Sequence, residues 1–286
     1  MNTPDDNLNH ESSHILVPSH FELHLEAEIS DQSALDLITD NCPLSKQKIK
    51  NVMRNGAVWL ESCNNITRLR RAKKILNTGD KLHLYYDEAI QQTTPEEAML
   101  IADETEYSVW NKPCGMYSQG TKWGDHCTIY RWAETHLQPQ RPAFIVHRLD
   151  RAANGLILLA HSKKMAAKLS QLFKDRKIIK RYQATVTGHI DISLPLIITD
   201  EIDSKPARST ILASRRNEHG DTVLNIEIET GRKHQIRKHL AGIGHPVTGD
   251  RLYGSDQTDA DLQLQSSYIK FTCPVTNKEK EYSLDG

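Results

Sequence analysis

The sequence predicts a chain that mixes α-helices and β-strands in two parts, on three observations. Apolar and polar residues alternate over 81–86 and 221–229, as in half-buried strands. Apolar residues recur at helical spacing over 46–55 and 163–176, as on amphipathic helices. Between the two parts, residues 87–106 turn acidic and carry Thr-Thr-Pro-Glu-Glu, which reads as a linker with one helical turn. A chain of 286 residues is long enough for a larger domain and a small accessory one.

Taken in order, residues 1–32 form an arm, because the stretch to about residue 25 shows no clear periodicity. Ala34, Leu35, Leu37 and Ile38 mark a short helix. Ser45 caps a second helix, 46–55, with Ile49, Val52 and Met53 inward and Gly56 as its stop. Ala57 to Leu60 is a strand, Asn77-Thr78-Gly79-Asp80 a turn, and 81–86 the next strand. The first globular part is therefore 33–87, the linker 88–106, and the second part 107–286. There, the apolar run after Gly155 is a buried strand, and Met165, Leu169, Leu172 and Phe173 form the core stripe of the helix over 163–176. A later helix carries Arg237 beside a stripe of Ile236, Leu240 and Ile243, with Thr230 near its N-cap.

Composition narrows the function classes. No window is apolar enough to span a membrane, and the polar N-terminus lacks a basic segment followed by an apolar run, so the expected location is the cytoplasm. The five cysteines, Cys42, Cys63, Cys114, Cys127 and Cys273, are scattered and form no CxxC pair, as expected of reduced thiols. His10, His14, His20 and His24 have no cysteine or HExxH beside them, and no metal site is expected. The net charge is −1, yet Lys46, Lys48, Lys50, Arg54, Arg68, Arg70, Arg71, Lys73 and Lys74 face a single acid, Glu61, within 46–74. On charge alone, this block is as readily a solvated face as a surface for a polyanion.

The segments LSKQKIKNVMRNGAVWLE and KKILNTGDKLHLYY, within 33–87, resemble the S4 RNA-binding domain. The resemblance implies a small α/β module whose basic helix faces structured RNA, with Lys46, Lys50, Arg54, Arg68, Arg70 and Arg71 as contacts. The intervening CNNITRLRRA departs from the usual Asn-Gly hairpin and leaves the strand register open.

Five further segments stand in order: Asn111-Lys112-Pro113-Cys114-Gly115, the run from His147-Arg148-Leu149-Asp150 to Ala160, Lys180 to Gly188, Glu229 to Leu240, and His245 to Gly254. They resemble the NKPxG, HRLDxxTSGLxxxA, KxYxAxVxG, ETGRxHQIRxHL and GHPxxGDxxYG motifs of the RluA family of RNA pseudouridine synthases. The resemblance implies an α+β catalytic domain with a mixed, mostly antiparallel sheet flanked by helices. It implies isomerisation of uridine in ribosomal or transfer RNA, and neither cofactor nor metal. A monomer is expected.

By the same resemblance, Asp150 is the nucleophile, Arg237 its basic partner, and Tyr182 the residue against the uracil and a candidate to remove the C5 proton. Arg148 takes the place of the flipped base, and His147, Arg232, His234 and Gln235 contact substrate. The chemistry suits these types: a carboxylate that attacks a sugar carbon must be ionised, and a buried uracil must leave the stack to be reached. A phenol is a poor base unless its acidity is perturbed. Cys114 and Asp250 read as structural. One departure stands out: Ala153-Asn154 replaces Thr-Ser after the nucleophile, which questions the rigidity of that loop. The rival reading is an RNA-binding protein that kept the fold without the chemistry. A glycoside hydrolase would need a second carboxylate.

Overall fold

The structure is a computed structural model and describes residues 18–254 and 260–284. The chain divides into two compact units. The first ends at Thr93 and takes in Thr121–Asp125; the second comprises Thr94–Gly120 and the chain from His126 onward.

The first unit runs β1 (His20–Glu26), α1 (Ala34–Asn41), α2 (Lys46–Arg54), β2 (Val58–Ser62), β3 (Asn65–Arg68), β4 (Lys81–Asp87) and α3 (Glu88–Gln92). Its antiparallel sheet has the order β1-β4-β2-β3. Ser33 and Ser45 cap the two longer helices by accepting from the N–H groups of Asp36 and Lys48. Ile38, Ile49, Val52 and Met53 of the helices and Leu82 and Leu84 of β4 share one core.

Two expectations change here. The arm over 1–32 contains a strand: in His20–Glu26, Phe21, Leu23 and Leu25 alternate with exposed residues, and the strand pairs with β4 along its whole length. Burying that alternate set is what draws the segment into the sheet. The open register of the basic hairpin is also settled. Cys63 and Asn64 both adopt positive φ, 49° and 60°, so a two-residue turn aligns Ser62 with Asn65. His10 and His14 lie outside the described residues.

The second unit runs β5 (Met99–Asp103), β6 (Tyr107–Lys112), α4 (Ile129–His136), β7 (Phe144–Ile145), β8 (Asn154–Ala160), α5 (Lys163–Lys174), β9 (Ile179–Val186), β10 (Leu196–Ile198), β11 (Ser209–Arg216), β12 (Thr222–Ile228), α6 (Gln235–Gly242), β13 (Leu264–Thr272) and β14 (Glu279–Ser283). The expected linker thus supplies β5, which pairs with β6. The sheet order is β10-β11-β12-β9-β13-β8-β6-β5, with β14 on β13 and β7 on β8. β13 and β8 run parallel and the other described pairs are antiparallel, so the sheet is mixed and mostly antiparallel.

Strand β8 is apolar on both faces because both are covered. Ile157 and Leu159 join one core with Leu224, Ile226 and Leu240; Leu156 and Leu158 join another with Met165, Leu169 and Ile269. Gly155, at φ 111°, is the second residue of this strand, where it pairs with Ser266 of β13, and a Cβ there would lie 2.3 Å from the Ser266 carbonyl oxygen. Glycine is required at that pairing. It brings β13 against the base of the loop that carries Asp150.

Candidate active site

Asp150 stands in the loop between β7 and β8, and segment 112–118 holds that loop. Lys112 is fully buried, and its Nζ donates to the carbonyl oxygens of Ala153 at 2.6 Å, Pro113 and Met116 at 2.9 Å, and Arg151 at 3.4 Å. Burial pulls the Lys112 ammonium down to about 8, so it stays protonated at neutral pH. The Cys114 thiol donates to Ala152 O, and Gly115 N donates to Arg151 O. Buried Ser118 both donates to Leu149 O, at 2.7 Å, and accepts from Leu149 N, at 3.0 Å. The rigidity questioned by Ala153-Asn154 is therefore supplied from another strand end. Ala153, 2 % exposed, is core and has no room for a polar role.

Helix α6 brings Arg237 to this loop. Its guanidinium is buried and forks onto Asp250, with Nε and Nη2 each 2.7 Å from a carboxylate oxygen. Its remaining nitrogen, Nη1, lies 3.3 Å from Asp150 Oδ2. Burial opposes the charges of both Arg237 and Asp250, but their mutual hydrogen bonds outweigh it and hold Asp250 below its ordinary range and Arg237 above its own. Asp250 Oδ1 also accepts from the N–H groups of Leu252 and Tyr253. The reading of Asp250 as structural thus gains a content: it fixes the arginine that faces Asp150.

His234 precedes the helix in the left-handed conformation, φ 56°. Its Nδ1 is 2.9 Å from the Tyr253 hydroxyl and its Nε2 3.8 Å from Asp150 Oδ1. Burial lowers its pKa more than the Asp150 charge raises it, so the ring is neutral at neutral pH. Thr230 is not the helix cap. It donates to Gln235 Oε1 and accepts from Arg208 N. Gln235 is buried; its Oε1 also accepts from Arg232 N, and its Nε2 donates to Arg208 O and Ser209 Oγ. Every polar atom of that amide is engaged internally, so Gln235 shapes the turn.

Around Asp150 lies a cleft of about 810 Å³, lined by Arg148, Tyr182, Arg232 and His234 among others. Arg148 is exposed and makes no ion pair among the described residues. Arg232 donates from Nε to Pro206 O. His147 lines the cleft, but its Nε2 accepts from Leu158 N at 2.9 Å and its ring stacks on Phe173. Burial pulls it down to about 3, so it is a neutral acceptor that clamps the strand.

Tyr182 is 8 % exposed in the cleft wall. Burial pushes its phenol up to about 12, and the Asp150 charge adds to that against a hydrogen bond with Ser266. The perturbation that a base role requires runs the other way here. At neutral pH the phenol is therefore protonated. Tyr182 presents a neutral ring and hydroxyl.

In the first unit, two expected RNA contacts are occupied. Arg68 donates to the carbonyls of Gly56 and Thr121, lies 3.3 Å from Asp125 and stacks over Trp59; Arg70 reaches Asp125 at 2.5 Å and Arg54 O at 2.8 Å. Both arginines pin the segment Thr121–Asp125. Lys46, Lys50, Arg54 and Arg71 are exposed.

Residues with no assigned role in the sequence reading do much of the positioning: Lys112, Ser118 and Tyr253. A lysine at the end of an otherwise buried strand was a signal for the first. The other two depend on contacts far along the chain.

Residues 106–242 match the family described as RNA pseudouridylate synthase. The chain is 32 % identical over 190 residues to the dual-specificity RNA pseudouridine synthase RluA of Vibrio parahaemolyticus, covering 58 % of this chain and 74 % of that one. It is 29 % identical over 248 residues to the ribosomal large subunit pseudouridine synthase D of Buchnera aphidicola, covering 74 % and 77 %. The structure of human RNA pseudouridylate synthase domain containing 1 shares the fold, with a TM-score of 0.55 and 21 % identity over 67 % of this chain and 84 % of that one. The Asp150 loop, Arg237 and Tyr182 all lie within the matched residues 106–242, and this chain belongs to the RluA family of RNA pseudouridine synthases.

Proposed function

We propose that this protein isomerises uridine in ribosomal or transfer RNA to pseudouridine, with Asp150 attacking the sugar. The observation that carries the assignment of Asp150 is its pairing with Arg237 at the mouth of an open cleft. The other carboxylate of that arginine, Asp250, is fully buried and cannot reach a substrate. Asp150 forms a bond to C1′ as the C–N bond breaks. The freed uracil turns against Tyr182, C5 bonds to C1′, and Asp150 leaves. A proton departs from C5 and one arrives at N1, so the reaction is redox-neutral and calls for no cofactor. Arg237 donates to the carboxylate and aims it, and Arg148 is placed to fill the gap left by the extruded base.

The choice of RNA class rests on the relatives, one named dual-specificity and one named for the large ribosomal subunit. The first unit would dock the RNA as an S4-like module through Lys46, Lys50, Arg54 and Arg71. As part of this reading the protein is a cytoplasmic monomer with reduced cysteines; among the described residues no helix is long and apolar enough to cross a membrane.

The direct test is a transcriptome-wide map of pseudouridine by carbodiimide adducts in cells with and without the gene, rescued by wild type or by Asp150→Asn. A site lost on deletion and restored by wild type alone establishes the reaction and its substrate. Restoration by both overturns the role of Asp150, and no lost site in any RNA favours a binding protein. A second expectation concerns docking. The triple variant Lys50→Gln, Arg54→Gln, Arg71→Gln should lower RNA affinity and reduce the slope of log affinity against log salt by about two to three units. Arg68→Gln with Arg70→Gln should instead lower the thermal midpoint of the first unit, because it strips Asp125 of two partners. An unchanged salt slope in the triple variant would refute docking through this face.

A further inference from the structure

The cleft continues past Asp150 to a set of cations that the proposed chemistry does not use. Lys180 and Tyr182 both line it and stand two residues apart on β9. That spacing corresponds to about 6.6 Å along a strand, a span comparable with that from a nucleobase to a phosphate of its own nucleotide. Lys180 is half-buried, and its ammonium makes no hydrogen bond or ion pair among the described residues. Arg176 also lines the cleft, is exposed, and leaves its guanidinium equally unpaired. The carboxylates that line the same cleft are Asp150 and Glu229, and each already faces an arginine, Arg237 and Arg208.

The position of Arg176 is informative. It follows α5 at φ 56°, where Arg176 N donates to Phe173 O and Lys177 N to Leu172 O. This is the helix-ending arrangement in which glycine is strongly preferred. An arginine there accepts backbone strain that glycine would relieve, and its guanidinium makes no hydrogen bond or ion pair among the described residues that offsets it. Burial, and secondarily the charge of Arg176, pull the Lys180 ammonium down to about 8. Two cations held near one another without a counter-ion form a site for an anion from outside.

We propose that Arg176 and Lys180 bind a phosphodiester of the substrate RNA, next to the nucleotide whose base enters the cleft against Tyr182. This subsite rests on the reading of the protein as an RNA-modifying enzyme. It sets the backbone of the target nucleotide while Asp150 engages its sugar, so it fixes which nucleotide of a loop is presented.

The test uses the full chain and unmodified transcripts of large-subunit ribosomal RNA fragments and of transfer RNAs, made with uridine tritiated at C5. Filter binding across a salt series is measured for wild type, Arg176→Gly and Lys180→Met, with thermal midpoints alongside. Each variant should bind several-fold more weakly and lower the salt slope by about one unit. Arg176→Gly should keep or raise the thermal midpoint, since it removes strain, and so reports on binding even if Lys180→Met folds poorly. A folded Arg176→Gly with wild-type affinity and slope would overturn the subsite. Tritium release from the same transcripts reads the chemistry separately. Binding that weakens in the variants without any release by wild type would uphold the anion subsite and count against the isomerase reading. Release by wild type with unchanged binding in both variants would do the reverse.

Discussion

Asp150→Asn abolishes pseudouridine formation, by at least about a thousandfold, the scale seen when a nucleophile is removed, while the protein folds and binds RNA within a few-fold of wild type. The reason is local. Asparagine keeps the volume of the side chain and removes both its charge and its nucleophilic oxygen. Arg237 does not become an unpaired buried charge, because its fork onto Asp250 at 2.7 Å is intact. The contact that is lost, Arg237 Nη1 to Asp150 at 3.3 Å, involves a carboxylate that is 27 % exposed, and such a pair contributes about 1 kcal/mol or less. The loop itself is held through backbone groups of Leu149, Arg151, Ala152 and Ala153, none of which the substitution touches. Tritium release, RNA affinity and thermal midpoint measured on one preparation decide the matter. A midpoint loss as large as the loss of turnover would make Asp150 a structural residue; persisting turnover would move the nucleophile elsewhere.

How far the sequence could be read depends on the range of the contacts involved. Local periodicity carried the two short helices, the cap at Ser45 and the two-faced strand β4, since each depends on neighbours within a turn or two; the cap at Ser33 is seen only in the structure. Strand β1 had the same signal, HFELHLE, but it follows a polar run that masked it. Strand β5 sits in an acidic stretch with a proline just before it and is half-exposed at the sheet edge, so its composition resembles a linker. At the site, ordered motifs were enough to nominate Asp150, Arg237 and Tyr182. Gln235 and His147 lie in the same motifs, and their polar atoms bond Arg208, Ser209 and Leu158, which a motif cannot show because it does not say which way a side chain turns. Arg68 and Arg70 read as surface charge since Asp125, their partner, is more than fifty residues away. The loop anchors Lys112 and Ser118 reach residues 31 to 41 positions distant, beyond any periodic pattern.

Asp250→Ala costs about 3–5 kcal/mol of stability, the range for breaking a buried ion pair by removing one partner, and activity falls with it. Arg237 would remain in a site where 6 % of its side chain is exposed, with a single acceptor, Asp150, beyond ordinary fork distance. Two backbone donors, Leu252 N and Tyr253 N, would lose Oδ1 as well. Asp250→Asn keeps one oxygen for those donors and should fall between wild type and alanine. The pH dependence gives an independent check. In the folded protein the Asp250 carboxyl titrates below its ordinary 3.8, because the Arg237 hydrogen bonds overcome the penalty of burial. Its contribution is therefore fully present above that ordinary value and is lost as pH falls through the lower, folded value. The wild type should lose stability more steeply than Asp250→Asn in that acid window, in denaturant titrations from about pH 5 down to 2. Parallel acid limbs would mean that Asp250 gains nothing from Arg237, and the fork would then not be what aims the arginine at Asp150. Should alanine prove nearly neutral for stability while turnover is lost, Arg237 would be held by the helix alone, and the role of Asp250 would lie in ordering Leu252 and Tyr253 at the rim of the cleft.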